Sequence, residues 1–196
     1  MDTSQASGDH QLCVFTHGAC TPIVPTKSST TQVLSPSLTA ESSPFKDLNV
    51  GVSAYVLLPS DKVSSTQFSS KIQQCLHKQL ANCTVPFLKL SALVDVVEAL
   101  VSFPFSILIY SDVDTSKTIQ CCQSYGKETF GETMEHEPLW MRLTSAILLR
   151  KTLGLSPFNI MPIGAHVAEH KAVQKQLQSA CKETLKYCVA QCQSVL

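Results

Sequence analysis

The chain has 196 residues, with 15 basic and 15 acidic side chains and a formal net charge of zero. This length favours one folded domain with tails. The balanced charge argues against a domain that coats nucleic acid regardless of its sequence, because such binding takes a basic excess. The longest apolar run, around residues 93–110, is interrupted by Asp95, Glu98 and Pro104, so no membrane-spanning segment is predicted.

The nine cysteines predict free thiols rather than a disulfide framework. Their number is odd, and no N-terminal segment has the layout of a secretory signal. We therefore expect a reducing compartment, either the nucleus or the cytoplasm.

Residues 1–48 are rich in Ser, Thr and Pro and have no hydrophobic periodicity, which predicts a disordered tail. Cys13, His17 and Cys20 are residue types that bind zinc, and His10 lies close to them in the sequence. A structural zinc site needs four such ligands with suitable spacing. We interpret these residues as incidental and predict no metal in the tail.

From residue 49 the pattern alternates between strand and helix. The predicted elements are a strand over 50–61, a helix over 64–80, a strand over 84–90, a helix over 91–103, and strands over 103–110 and 118–125. Strand, helix, strand, helix, strand indicates parallel pairing through crossovers. The last strand follows after a loop too short for a crossover helix, so it should pair antiparallel.

Two helices are predicted in the last third of the chain. One begins at Glu137-Pro138, and the other covers about residues 166–195, after a loop that contains Pro157 and Pro162. The last helix carries one apolar face, which must dock on the domain, on a second copy or on a partner. This docking face consists of Val173, Leu177, Cys181, Leu185, Cys188 and Cys192.

The sequence thus predicts an α/β fold with a mixed, mostly parallel sheet in the order β-α-β-α-β-β-α. It divides into a tail over 1–48, an α/β domain over 49–154, and a linker with a C-terminal docking helix over 155–196.

Three segments carry a resemblance to a known family: SALVDVVEALVSFPFSILIY, TIQCCQSYGKE and ETMEHEPLWMRLTSAILLRK. Their order resembles the anticodon-binding domain of class IIa aminoacyl-tRNA synthetases, and it is closer to the non-catalytic form of that domain in a nuclear receptor coactivator. The resemblance implies a non-enzymatic adaptor without a cofactor. Its partner would be a protein, which includes a second copy bound through the last helix, with RNA as the alternative.

The contact surface is expected at the carboxyl ends of the strands, which line the usual crevice of an open α/β sheet. The candidate residues of this edge are Asp61, Tyr110, Asp112, Asp114, Lys117 and Lys127. For an RNA ligand, a modest basic face would consist of Lys117, Lys127, Arg142, Arg150 and Lys151.

The strand-end aspartates also support an alternative function. Asp61 facing Asp112 and Asp114 would supply the oxygen ligands of a metal-dependent phosphodiester enzyme. Equally, aspartates at these positions cap turns. The segment HVAEH, with His166 and His170 one helical turn apart, matches a zinc signature but lacks a third ligand nearby, so no metal is predicted there.

Overall fold

The computed structural model describes residues 11–23, 49–59, 71–80, 85–113, 137–164 and 167–195. The strands are β1 (Gln11–Pro22), β2 (Asn49–Pro59), β3 (Gln73–Leu80), β4 (Ser106–Ser111) and β5 (Phe158–Pro162). The helices are α1 (Val85–Ala99), α2 (Glu137–Thr152) and α3 (Ala168–Val195). Within these segments no helix is both long and apolar enough to cross a bilayer.

The five strands form one mixed sheet in the order β3-β2-β1-β4-β5. β1, β2 and β3 form an antiparallel meander, whereas β4 pairs parallel to both β1 and β5. The chain therefore leaves β1 toward one edge of the sheet and continues from β4 toward the other edge. A strand order that reverses in this way creates a crevice between the carboxyl ends of the two central strands.

The helices cover both faces of the sheet, and alternate residues of β1 contribute to two separate cores. Val14 packs with α1 and α2 on one face. Cys13 and Phe15 pack with α3 on the opposite face. Val14 and Phe15 are both fully buried, so β1 is the centre of the fold.

The docking face of the last helix packs against this sheet. Its members Val173, Leu177, Cys181, Leu185 and Cys188 are buried together with residues of β1 and β2, while the side chain of Cys192 lies outside the described residues. Of the three alternatives for this face, the structure shows docking within the chain. Because this face is buried within the chain, the structure gives no support to a homodimer through it.

The predicted tail is wrong for residues 11–22, which form the central strand β1. The run Leu12-Cys13-Val14-Phe15 supplies enough apolar surface for a buried strand, although Ser-, Thr- and Pro-rich sequence surrounds it. The folded domain therefore includes residues well before 49. Residues 1–10 and 24–48 lie outside the described residues.

Two further element predictions are corrected. Residues 73–80 form the edge strand β3 and not a helix, because their backbone pairs with β2. Residues 85–90 are the first turns of α1 and not a strand; Pro86 suits the first turn of a helix, where its missing N–H has no partner to lose. The loop containing Pro157 and Pro162 includes β5, and the predicted strand over 118–125 lies outside the described residues.

The α/β class, the mixed sheet, the strands that became β2 and β4, and the helices α2 and α3 are confirmed. The predicted order of elements is wrong, since among the described residues three strands precede α1 and as many strand pairs are antiparallel as parallel.

Arg150 holds α2 to the end of the sheet opposite the carboxyl ends of β1 and β4. It is fully buried and donates to the backbone carbonyls of Leu100 at 3.0 Å, Phe103 at 2.8 Å and Phe105 at 2.9 Å. Further bonds reach the carbonyls of Val101 and Ser156, and the guanidinium lies 4.7 Å from the ring centre of Phe158. Arg150 is therefore a structural residue and not part of a basic face. Its exposed neighbour Lys151 lies at this same end of the sheet, away from the carboxyl ends of β1 and β4.

Candidate functional site

The carboxyl ends of β1 and β4 lie side by side at the reversal of strand order. Their parallel register pairs Phe15 with Tyr110, so the next residues, Thr16 and Ser111, also lie together. The Thr16 hydroxyl donates to the Ser111 Oγ at 2.9 Å, and both side chains are fully buried. This bond between two buried hydroxyls fixes the position of the residue that follows each of them.

Ser111 also shapes the turn after β4. Its Oγ accepts the backbone N–H of Val113 at 3.2 Å, and its carbonyl accepts the N–H of Ile163 at 3.2 Å. The turn is thus capped by Ser111 rather than by Asp112, which contradicts the turn-capping interpretation of that aspartate. The carboxylate of Asp112 instead contacts side chains of β1 and α1.

Asp112 is the centre of a small ionic cluster. Its Oδ2 lies 3.3 Å from the Nδ1 of His17 and 3.1 Å from the Nζ of Lys89. The side chains of His17 and Asp112 are 11% and 14% exposed, whereas that of Lys89 is 28% exposed. Asp112 Oδ1 is buried and has no hydrogen-bond partner among the described residues. The cluster therefore has one open side, where Lys89 reaches solvent, and one unused acceptor.

Gly18 brings α1 close enough for Lys89 to reach Asp112. A Cβ at Gly18 would lie 2.5 Å from the carbonyl carbon of Leu88 and closer still to the amide nitrogen of Lys89. Because those are backbone atoms of α1, only glycine allows the helix to lie against β1 at this point. His17 and Gly18 are consecutive in β1 and act on different parts of the cluster. His17 contacts Asp112, and Gly18 lets α1 bring Lys89 to it.

Helix α3 covers the face of the sheet opposite α1, and its Cys181 lies near Asp112. Burial and the nearby Asp112 carboxylate raise the pKa of the Cys181 thiol to about 11, so this buried cysteine is a packing residue and not a nucleophile.

His170 is also a packing residue. The centre of its ring lies 4.1 Å from the ring centre of Tyr110 and 5.2 Å from that of Phe15. Its Nδ1 accepts the N–H of Gly164 at 3.3 Å, and burial lowers its pKa. A ring nitrogen used in this way leaves no support for a zinc site at HVAEH; His166 lies outside the described residues.

The structure brings two members of the predicted edge to this site, Tyr110 and Asp112. Tyr110 is half-buried between Phe15 and His170, and burial raises the pKa of its hydroxyl. The remaining candidates, Asp61, Asp114, Lys117 and Lys127, lie outside the described residues.

Sequence reasoning missed the roles of His17 and Lys89. His17 was assigned to the tail, and recognising the run before it as a strand would have placed it at a strand end. Lys89 carries no signal in the sequence, because only the packing of α1 on Gly18 brings it to Asp112.

A second polar cluster lies on the other side of β2 from α3. Ser53 Oγ is 3.0 Å from the Nε2 of His77 and 3.5 Å from an Asp95 oxygen. Burial lowers the pKa of His77 and raises that of Asp95. Ser53 is only 2% exposed, so its hydroxyl has no access to a substrate. The surface residue Arg142 lies 3.6 Å from Asp95 and makes two short bonds to Glu98.

The strand-end residues that the structure describes do not by themselves form a catalytic metal site; Asp61 and Asp114 lie outside them. Magnesium prefers several hard oxygen ligands, and two-metal nucleases need such ligands in a cluster. No group of three or more His, Cys, Asp or Glu suited to a metal occurs within the described segments. The ammonium of Lys89 at Asp112 Oδ2 would moreover repel a divalent ion by about 8 kcal/mol at ~4 Å and an effective dielectric constant of ~20.

Comparisons with known proteins identify the fold. No family model matches the sequence, and no curated protein matches it. The foamy viral protease-reverse transcriptase in complex with dsDNA matches with a TM-score of 0.55 and 12% identity, over 88% of this chain and 95% of that chain. The same enzyme in complex with an RNA/DNA hybrid matches with a TM-score of 0.54 and 11% identity, over 88% of this chain and 20% of that chain. The solution structure of the PFV RNase H domain matches with a TM-score of 0.50 and 12% identity, over 89% of this chain and 96% of that domain.

These likenesses correct the predicted family. The chain spans about a fifth of the longer protease-reverse transcriptase chain and nearly the whole of the isolated RNase H domain. The resemblance to an anticodon-binding domain is wrong, and the coactivator-like adaptor function that it implied is contradicted by the RNase H structures. At these identities the likeness shows the fold alone, and that fold is RNase H-like.

Proposed function

We propose that this chain is an RNase H-like domain that binds duplex nucleic acid, and that its ligand is an RNA/DNA hybrid. Two likenesses support the ligand class: a foamy viral enzyme solved with a hybrid and the same enzyme solved with dsDNA share this fold. The observation that carries the proposal is the cluster of His17, Lys89 and Asp112 at the reversal of strand order, where open α/β sheets bind their ligands.

The local charge of the site suits a phosphate backbone. Lys89 lies in the second turn of α1, and the first turn of that helix contains no acidic residue, so the positive end of its dipole is not neutralised there. A few such contacts do not require a basic excess over the whole chain. The zero net charge instead predicts modest affinity and a shallow dependence on salt.

A second candidate function is hydrolysis of the same ligand. The observation that favours it is the buried Asp112 Oδ1, an unused carboxylate oxygen in a fold shared with RNase H domains. The ammonium and imidazole beside that carboxylate oppose it, because they occupy the surroundings in which a divalent ion would bind.

The proposal is tested with the whole chain and labelled duplexes of one sequence: RNA/DNA hybrid, dsDNA and dsRNA. Fluorescence anisotropy measures binding at several salt concentrations, and gel electrophoresis measures cleavage with Mg²⁺ or Mn²⁺. We expect the hybrid to bind more tightly than dsRNA, and Lys89→Glu to weaken binding about tenfold or more.

The matched control is Lys151→Glu, which makes the same charge change on an exposed lysine at the opposite end of the sheet. Failure of all three duplexes to bind at low salt would contradict the proposal. Equal loss in the two lysine variants would mean that binding occurs elsewhere. Cleavage that Asp112→Asn abolishes would establish the second candidate.

A further inference from the structure

We infer that this site binds a backbone phosphate without a divalent cation, with Lys89 supplying the positive charge beside Asp112 that a metal ion supplies in carboxylate-based nuclease sites. The inference rests on the proposed function and names how that function is performed. It follows from the identity and geometry of the three groups that meet at the strand ends.

The first step concerns the partners of Asp112. Its Oδ2 is 3.1 Å from the Lys89 ammonium and 3.3 Å from the His17 Nδ1. An ammonium at this distance neutralises the carboxylate and occupies the space beside that oxygen. A cation that is part of the chain is present in any buffer, so chelating metal ions from solution does not remove it.

The second step concerns the free donors. A lysine ammonium has three N–H donors, and the contact with Asp112 uses one of them. The Lys89 side chain is 28% exposed, so a ligand in solution can reach its remaining donors. A phosphate oxygen of a duplex laid across the ends of β1 and β4 can accept them as charge-assisted hydrogen bonds.

The third step concerns the role of Asp112 itself. A free lysine side chain loses rotamer entropy when it binds a phosphate. Here Asp112 already holds the ammonium, and Gly18 fixes the backbone of α1 next to β1. Asp112 is therefore a positioning residue for Lys89, and a carboxylate at this site is compatible with a phosphate ligand.

The test measures hybrid binding by the whole chain in EDTA and in Mg²⁺, for the natural sequence, Lys89→Ala, Lys89→Arg and Lys151→Ala. We expect the dissociation constants in EDTA and Mg²⁺ to agree within about twofold once ionic strength is matched. Lys89→Ala should weaken binding about tenfold and reduce the salt slope by about one, while Lys89→Arg retains most of the affinity. Lys151→Ala should change neither quantity. Circular dichroism establishes that each variant is folded.

The outcomes separate this inference from the proposed function. No binding in either buffer overturns the proposed function and the inference together. Binding that requires Mg²⁺ overturns the inference alone. Metal-independent binding that falls equally in Lys89→Ala and Lys151→Ala also overturns the inference, because the phosphate contact would then lie away from Asp112.

Discussion

Replacing His17 and Lys89, the two partners of Asp112 Oδ2, with acids should create a metal site at the strand ends. In the double variant His17→Asp, Lys89→Glu, three carboxylates meet where His17 and Lys89 now contact one oxygen of Asp112. Carboxylate oxygens are the ligands that Mg²⁺ and Mn²⁺ prefer. We expect the double variant to bind one of these ions and the natural chain to bind neither at this site.

The size of the effect can be derived from the geometry. Without metal, the variant loses the ion pair between Lys89 and Asp112 and the contact of His17 with Asp112, and it gains repulsion between carboxylates; together these changes cost about 1–3 kcal/mol. A metal present at ~100 times its dissociation constant stabilises the folded state by about 2.7 kcal/mol. For a domain of this size each kcal/mol shifts the melting temperature by about 2–4 °C, so the metal should raise it by about 5–10 °C.

The assay is thermal unfolding with and without Mg²⁺ or Mn²⁺, combined with calorimetric titration of the metal. Adding Asp112→Asn to the double variant should abolish the rise, and Lys151→Glu alone should show none. A folded double variant without a metal-dependent rise would refute the geometric reasoning. A rise of the same size in the natural chain would show that Lys89 does not block the metal.

Three further predictions concern the fold around the site. Arg150→Ala removes the fully buried guanidinium and its bonds to the carbonyls of Leu100, Phe103 and Phe105, and should lower the free energy of unfolding by about 3–5 kcal/mol in urea titrations. The surface variant Arg142→Ala should lower it by less than ~1 kcal/mol, and similar losses in the two variants would contradict the structural role of Arg150. Gly18→Ala should cost about 1–3 kcal/mol and also weaken hybrid binding, because a Cβ forces α1 away from β1; unchanged binding in a folded variant would argue against this coupling. Burial lowers the pKa values of His77 and His170 below 6.5, so the unfolded chain binds more protons just below that pH and stability falls as the pH falls through this window. Urea midpoints at successive pH values should therefore decrease below pH 6.5, and replacing either histidine with asparagine should flatten the profile; a profile unchanged in both variants would contradict the assignment.

Elements whose own packing matches their sequence pattern were predictable. β4 follows the alternation of its apolar residues, with Ile107 and Ile109 fully buried on one face. The last helix follows its spacing of threes and fours, from Val173 to Leu185. In these segments local preference and tertiary contacts favour the same structure.

Elements whose structure is decided by distant partners were not predictable. In β3, Leu76 and Leu80 are spaced as on a helix, yet the strand forms because its backbone pairs with β2. Leu80 pairs with Asn49 in that register, a partner 31 positions away along the chain. Hydrophobic spacing over eight residues distinguishes helix from strand poorly when an edge strand is largely exposed.

The candidate site depends on three consecutive residues of β1, and this explains why it stayed hidden in the sequence. Thr16 bonds to Ser111 and fixes the end of β4, His17 faces Asp112, and Gly18 admits the backbone of α1 that carries Lys89. Thr16 and His17 act at the end of β4 and Gly18 acts on α1, and these partners lie about 70 to 95 positions away along the chain. A single strand thus determines both the reversal of strand order and the charge placed there. Because the positions of Asp112 and Lys89 follow from the packing of β1, a change of function at this site requires only new side chains, and the backbone that brings them together can stay the same.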